Sequence, residues 1–350
     1  MPVIWGRRKS LLTLIGSGFA LGGVTSSVRA QGKMSTATYP VASTGYATMM
    51  VASVKGFFKD EGLEVKLIHG GSGSKSREIL AAGQAEFAIG DVIHSLLLSN
   101  RNRPSRVIYS VDRRSGGAYY LIRKDLYDAG VTTLEKAAAW QRPDGRKTLF
   151  GVSSLGGTSH VWASFITEQL GIGSRFTFLG VGNVDTMMGS IRSKQIDLLG
   201  SSAAMVADAE RNGWAKLIFS GADKAIWDRI VGGDVPVTGH FVLQASIDKD
   251  PAKVQAYVNA VHRANVWVAK NSAEAVQDAI ESFVGSTSRE SNLIEINAAR
   301  ELINPDGIAT EESFKRGEKV WFRESTGVKP LPFNEAFNND FARLAKSKVK

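Results

Sequence analysis

The chain of 350 residues contains no cysteine. That excludes disulfides, thiolate nucleophiles and zinc or iron–sulfur sites held by cysteine. Several motifs that carry common chemistry are also missing. There is no H-E-x-x-H pair for zinc, no G-x-x-x-x-G-K-[ST] phosphate cradle and no G-x-S-x-G nucleophile elbow. The five histidines, His69, His94, His160, His240 and His262, have no metal-ligand spacing, so neither a metal site nor a cofactor is expected. The apolar stretch from Leu11 to about Val24 is diluted by Gly16, Gly18, Gly22 and Gly23 and falls short of the ~20 residues that span a bilayer. What is present is ordinary for a globular protein: 43% hydrophobic and 22% charged residues, in a length suited to about two domains.

A net charge of +9 invites a nucleic-acid reading, so the location of the charge matters. The first thirty residues hold Arg7, Arg8, Lys9 and Arg29 and no acid. They end at Val28-Arg29-Ala30, with small residues at both recognition positions of a signal peptidase. A charged start, a short apolar middle and an A-x-A-like end define a secretory signal peptide, expected over residues 1–30 with cleavage near Ala30. Arg7-Arg8-Lys9-Ser10-Leu11-Leu12 resembles a twin-arginine export signal, departing from it at Ser10 and Thr13, where Phe and Lys are usual. Export by either route places the mature chain in the periplasm. Without the signal, 39 basic residues face 34 acidic ones, a net +5, and no basic run in the body exceeds two residues. No nucleic-acid partner is expected. Arg343, Lys346, Lys348 and Lys350 suit a solvated helix end.

From Ala37 the pattern alternates short strands with helices. Strands are expected at Thr38–Ala42, Glu64–His69, Glu86–Ile89 and Arg106–Ser110, with helices at Tyr46–Phe58, Ser74–Ala82 and Val92–Leu98. Gly83 suits a left-handed helix cap. The cadence then repeats about 110 residues later: strands at Thr148–Val152, Phe176–Leu179, Ile196–Leu199 and Lys216–Phe219, helices at Thr158–Leu170, Val184–Ser193 and Ala204–Asn212. This predicts two α/β lobes with mostly parallel sheets. Gly116–Ile122 and Thr238–Leu243, each an extended apolar run after glycine, are expected to cross between them. Lobe 1 is expected over 33–118 plus 243–350, and lobe 2 over 119–242. Beyond Pro251 the pattern is helical, with Val254, Tyr257, Val258, Val261 and His262 on one face and further helices near 273–284, 291–303, 311–324 and 335–346. This tail is expected to pack on the first lobe, clear of the cleft.

Lys55-Gly56-Phe57-Phe58-Lys59-Asp60-Glu61-Gly62-Leu63-Glu64-Val65 resembles the opening motif of the sulfonate/taurine/nitrate/thiamine-precursor group of periplasmic substrate-binding proteins of ABC transporters. The resemblance continues through Gly71-Ser72-Gly73-Ser74, through Leu80–Ala88 and through Gly156-Gly157-Thr158-Ser159, covering roughly residues 37–245; Glu86 stands where family members usually have Asp. It implies a type II periplasmic-binding-protein clamshell, no catalysis, and a monomer that delivers a small ligand to an ABC permease and its ATPase. Sulfonates, taurine, nitrate and carboxylates are the ligand classes it implies, with a thiamine-related pyrimidine as an alternative. A ligand-sensing subunit for a membrane sensor would look the same. Porphobilinogen deaminase and the eukaryotic pyrimidine-precursor synthases share the fold, but both depend on cysteine.

In open α/β sheets ligands bind beyond the carboxyl ends of the strands, at helix N-termini. That rule selects six loops rich in Gly, Ser and Thr. The candidate ligand-binding residues are Thr44, Gly45, Tyr46, Gly73, Ser74, Lys75, Asp91 and Arg114 in the first half and Gly157, Thr158, Ser159, Asn183, Ser201 and Ser202 in the second. Glycine permits close backbone approach, hydroxyls supply hydrogen bonds, and unpaired helix N–H groups favour an anion. Arg114 offers a bidentate contact to a carboxylate or sulfonate, and Tyr46, Trp162 and Trp227 are candidates for an apolar wall, Trp162 also being suited to core packing. Export predicts that the mature protein begins close to Gln31, which intact-mass measurement of the periplasmic form checks; a mass retaining residues 1–30 would exclude cleavage.

Overall fold

Among the described residues, ten strands form two five-stranded sheets built to one plan. The computed structural model describes residues 33–285 and 287–348; the expected signal peptide lies outside them. The strands are β1 Lys33–Tyr39, β2 Leu63–His69, β3 Phe87–Asp91, β4 Ser105–Ser110, β5 Tyr119–Arg123, β6 Thr148–Val152, β7 Phe176–Gly180, β8 Leu198–Ser201, β9 Ala215–Ser220 and β10 Thr238–Leu243. The first sheet has the order β2-β1-β3-β10-β4 and the second β7-β6-β8-β5-β9. In each, four strands run the same way, and the crossing strand is inserted antiparallel between the third and the last. Every residue of β3, β6 and β8 is buried, as expected of strands covered on both faces. The two-lobed α/β architecture read from the repeated cadence is what the chain adopts. No helix among the described residues is long and apolar enough to cross a membrane.

Local departures from the sequence reading have physical causes. The first strand runs over Lys33–Tyr39 and stops ahead of Pro40, which has no N–H for the ladder. The helix expected over Tyr46–Phe58 is broken into Ala47–Val54 and Phe57–Asp60 at Gly56, whose φ of +74° suits glycine. Short helices at Lys124–Asp128, Leu134–Ala139 and Lys224–Val231 were not expected from the sequence. The run Thr238–Leu243, assigned to the second lobe up to residue 242, is a ladder strand of the first sheet, so by sheet membership the chain re-enters that sheet at Thr238.

The tail divides its packing. In the helix Pro251–Lys270, the predicted face of Val254, Tyr257, Val258, Val261 and His262 is buried, with the Tyr257 ring stacked 3.8 Å from Phe87. Two later helices leave this side, contrary to the expectation of a tail confined to the first lobe. Arg289–Leu302 packs on the helix Ala203–Arg211, and Glu311–Trp321 packs on the helix Thr158–Gln169. The reasons are specific bonds and shared apolar area. Ser288 and Ser291 donate to Asp208, and Arg323 donates to the Val161 carbonyl at 2.9 Å and pairs with Glu168. Phe314 and Trp321 join Trp162, Trp227, Val92, Phe241 and Phe150 in one apolar cluster that runs from sheet to sheet.

The two halves also repeat an anchoring device. Glu86, ahead of β3, accepts from Ser35 and from Lys253 Nζ at 2.7 Å. Asp197, ahead of β8, is fully buried, accepts from Leu149 N at 2.8 Å and pairs with Arg123 at 3.2 Å and with Arg142. Removing one member of a buried ionic cluster leaves the others desolvated without compensation. Asp197→Ala is therefore expected to cost about 3 kcal/mol of stability, measured by urea unfolding, whereas a surface pair such as Lys124–Asp128 should change it little.

Candidate ligand-binding site

The carboxyl ends of the central strands face a cavity of about 190 Å³. Loops of both sheets line it: Ser43, Thr44, Gly45, Tyr46 and Gly73 from one side, and Ser153, Thr158, Ser159, Ser201 and Ser202 from the other. The hinge region adds Asp112, Ser115 and Tyr119. Val184, Met187, Met205, Ala298 and Leu302 make an apolar wall. Gly73 must be glycine there, because a Cβ would lie 2.2 Å from Nε2 of the buried His94.

Eight of the fourteen residues expected from the sequence meet in this lining: Thr44, Gly45, Tyr46, Gly73, Thr158, Ser159, Ser201 and Ser202. The remaining six do not. Ser74 stands beside it, its Oγ 3.5 Å from Ser154 Oγ across the cleft. Lys75 is exposed and pairs with Glu78 at 3.5 Å along its own helix. Arg114 turns to the Ala222 carbonyl at 3.4 Å. Asn183 is exposed and caps its own helix at Thr186 N, 3.1 Å. Gly157 is buried as the N-cap of the helix Thr158–Gln169. Asp91 is buried behind the lining and accepts from Ile93 N and from the Trp162 indole, each at 3.0 Å. Trp162 and Trp227 are core residues, in a tilted ring contact at 4.9 Å, while Tyr46 does line the cavity.

Glu295, on the tail helix Arg289–Leu302, holds the centre of the site and was not anticipated. It is almost fully buried. Ser43 Oγ and Gly45 N donate to its Oε1 at 2.7 and 3.1 Å. Ser202 Oγ and Ala204 N donate to its Oε2 at 2.6 and 3.3 Å. One carboxylate thus bridges a first-sheet loop and a second-sheet loop, and takes N–H groups that the sequence argument had reserved for a ligand anion. A signal for it exists: Ser291, Glu295, Ala298, Ala299 and Leu302 fall at helical spacing, so this acid lies on the small-residue face of its helix, where a solvated acid would not be placed.

Among the described residues lining the cavity there is no lysine, arginine or histidine, while two carboxylates, Glu295 and Asp112, face it. Asp112 Oδ1 accepts from Val237 N at 3.0 Å and Thr238 N at 2.8 Å. Burial pushes the Asp112 carboxyl up to about 7, against the pull of its bonds to Thr238 and Val237, and the Asp91 charge adds to the rise. Burial likewise lifts Asp91 to about 6. The Tyr46 hydroxyl is held neutral by burial and by the charges of Asp91, Glu295 and Asp112. Thr44, 2% exposed, turns a hydroxyl without a partner into this region. No cluster of His, Asp or Glu among the described residues could hold a metal ion.

The model of the NMT1-like family matches residues 40–282. The putative binding protein YtlA of Bacillus subtilis (strain 168) is 21% identical over 310 residues, 86% of each chain. A protein of Bordetella bronchiseptica RB50 superposes with a TM-score of 0.77 at 24% identity, over 91% of this chain and 98% of that one. The alkanesulfonate-binding protein SsuA of Xanthomonas axonopodis pv. citri, solved bound to MOPS, gives 0.68 at 10% identity, over 89% and 99%. At these identities the two structures show the shared fold.

The raised acids fix the sign of a pH dependence. Between their ordinary value of 3.8 and their folded values of about 6 and 7, Asp91 and Asp112 bind more protons folded than unfolded. Their contribution to stability therefore falls as pH rises through that window. Asp112→Asn keeps the acceptor for Val237 N and Thr238 N and removes the charge. It is expected to be more stable than wild type at pH 8, on the order of 2 kcal/mol, with the gap closing near pH 4; urea melts at both values decide it, and a variant no more stable at pH 8 excludes this origin.

Proposed function

Because the chain belongs to the NMT1-like family, we propose that it is an extracytoplasmic solute-binding protein that encloses a small molecule between two lobes and passes it to an ABC importer in the membrane. The observation that carries this reading is a cavity lined by matching loops of both sheets, with the crossing strands β5 and β10 at its back. A ligand touching both sides would be sequestered when the lobes close and released when they part, the usual motion of two domains on a hinge. A relative over 86% of the chain that is named as a putative binding protein supports capture over catalysis. The pocket suits a compact solute with an apolar body, since Met187, Met205 and Leu302 line it together with Tyr46, Ser115 and Thr158.

Protein purified from its exporting cell without unfolding is expected to release a small molecule on denaturation. That molecule, added back to refolded, solute-free protein, should raise the melting temperature; at 100-fold over Kd the gain is about 2.7 kcal/mol. Cells lacking the gene should take the same compound up more slowly. Absence of a releasable solute together with unchanged uptake would overturn the reading.

A further inference from the structure

We propose that Glu295 makes the cleft select against anions, so that the solute is a neutral or cationic compound with an apolar body. The inference rests on the capture reading above and names the ligand class of the same cavity. Its basis is the seat that the carboxylate occupies. Two hydroxyls and two backbone N–H groups, drawn from both sides of the cleft, converge on one pair of oxygens at 2.6 to 3.3 Å. Such a cluster of donors is what an anionic ligand would use. The chain fills it with its own fixed anion, anchored by the helix Arg289–Leu302.

The rest of the lining gives an incoming anion nothing in exchange. Asp112 is a second acid facing the cavity, and no described lining residue carries a positive charge. Like charges at close range in a desolvated site repel strongly. What remains available to a ligand is of the opposite kind. The Tyr46 hydroxyl, set among three carboxylates, suits N–H or O–H groups and ammonium-like charge, and the Tyr46 ring and the apolar lining suit an apolar body.

The test uses the purified protein with nitrate, benzenesulfonate and benzylamine at constant ionic strength. Binding is read by calorimetry and by thermal shift against a chloride control. For wild type, neither anion should move the melt or release heat. Glu295→Ala empties the seat while leaving its four donors, and Glu295→Gln keeps the shape and removes the charge. Each is expected to bind nitrate or benzenesulfonate at least about tenfold more tightly than wild type. Reading both guards against one failing to fold, which circular dichroism monitors. Benzylamine, if it stabilises wild type, should lose that effect in either variant. Wild type binding an anion as tightly as the variants overturns the proposal, and so does a folded variant with no gain. A co-purified solute that is anionic at neutral pH also overturns it while leaving the capture reading intact. Absence of any co-purified solute would instead count against capture, and the anion gain of the variants would still decide the role of Glu295.

Discussion

Backbone N–H groups at the ends of parallel strands must find acceptors, and in this chain one carboxylate meets them from both sides of the cleft. Ser43 and Gly45 belong to the turn after β1, Ser202 and Ala204 to the N-cap and first turn of the helix after β8, and all four bond to Glu295. Buried donors left unmatched would cost about 1–3 kcal/mol each, so this convergence constrains more than the site. It places the helix Arg289–Leu302 against the helix Ala203–Arg211, where Asp208, Arg211, Ser288 and Ser291 complete the contact. It also sets the sign of the field inside the cavity, to which Asp112 and Asp91 add in the same direction.

A second link lies deeper. The Trp162 indole donates to Asp91 from across the two sheets, inside an apolar cluster that both sheets share. Burying Asp91 is unfavourable to its charge, as its raised titration shows, and the two bonds it accepts offset part of that penalty. The crossing strands β5 and β10 each carry an irregular register, at Tyr120/Leu121 and His240/Phe241. Bulges bend and twist a strand locally, so the same device recurs at both places where the chain passes between halves. With Phe314 and Trp321 of the tail filling the same cluster, any opening of the cleft has to preserve this shared core behind it.

The repeated cadence was legible because it is local. Strands such as β6 and helices such as Thr158–Gln169 follow from residues adjacent in sequence; β6 has the expected bounds, and the helix ends one residue early. The loop residues Thr44, Gly73, Thr158 and Ser201 were legible for a related reason: strand-to-helix junctions in open sheets point one way. Lys75, Arg114 and Asn183 were chosen for their chemistry, but each has a nearer partner, Glu78, the Ala222 carbonyl and Thr186 N, that takes its side chain away from the cavity. Proximity in sequence identified the loop and left the rotamer undecided.

The amino-acid sequence by itself determined the two-lobed α/β plan, the crossing strands and most of the loops around the cleft, because periodicity, glycine placement and turn chemistry act over a few residues. Only the tertiary structure decided that the tail reaches the second lobe and that Glu295 enters the cleft. The bonds responsible join residues about 250 and 93 positions apart, from Gly45 and Ser202 to Glu295. No local pattern encodes which acid will be desolvated against which loop. That choice emerges when the helix Arg289–Leu302 packs on the helix Ala203–Arg211.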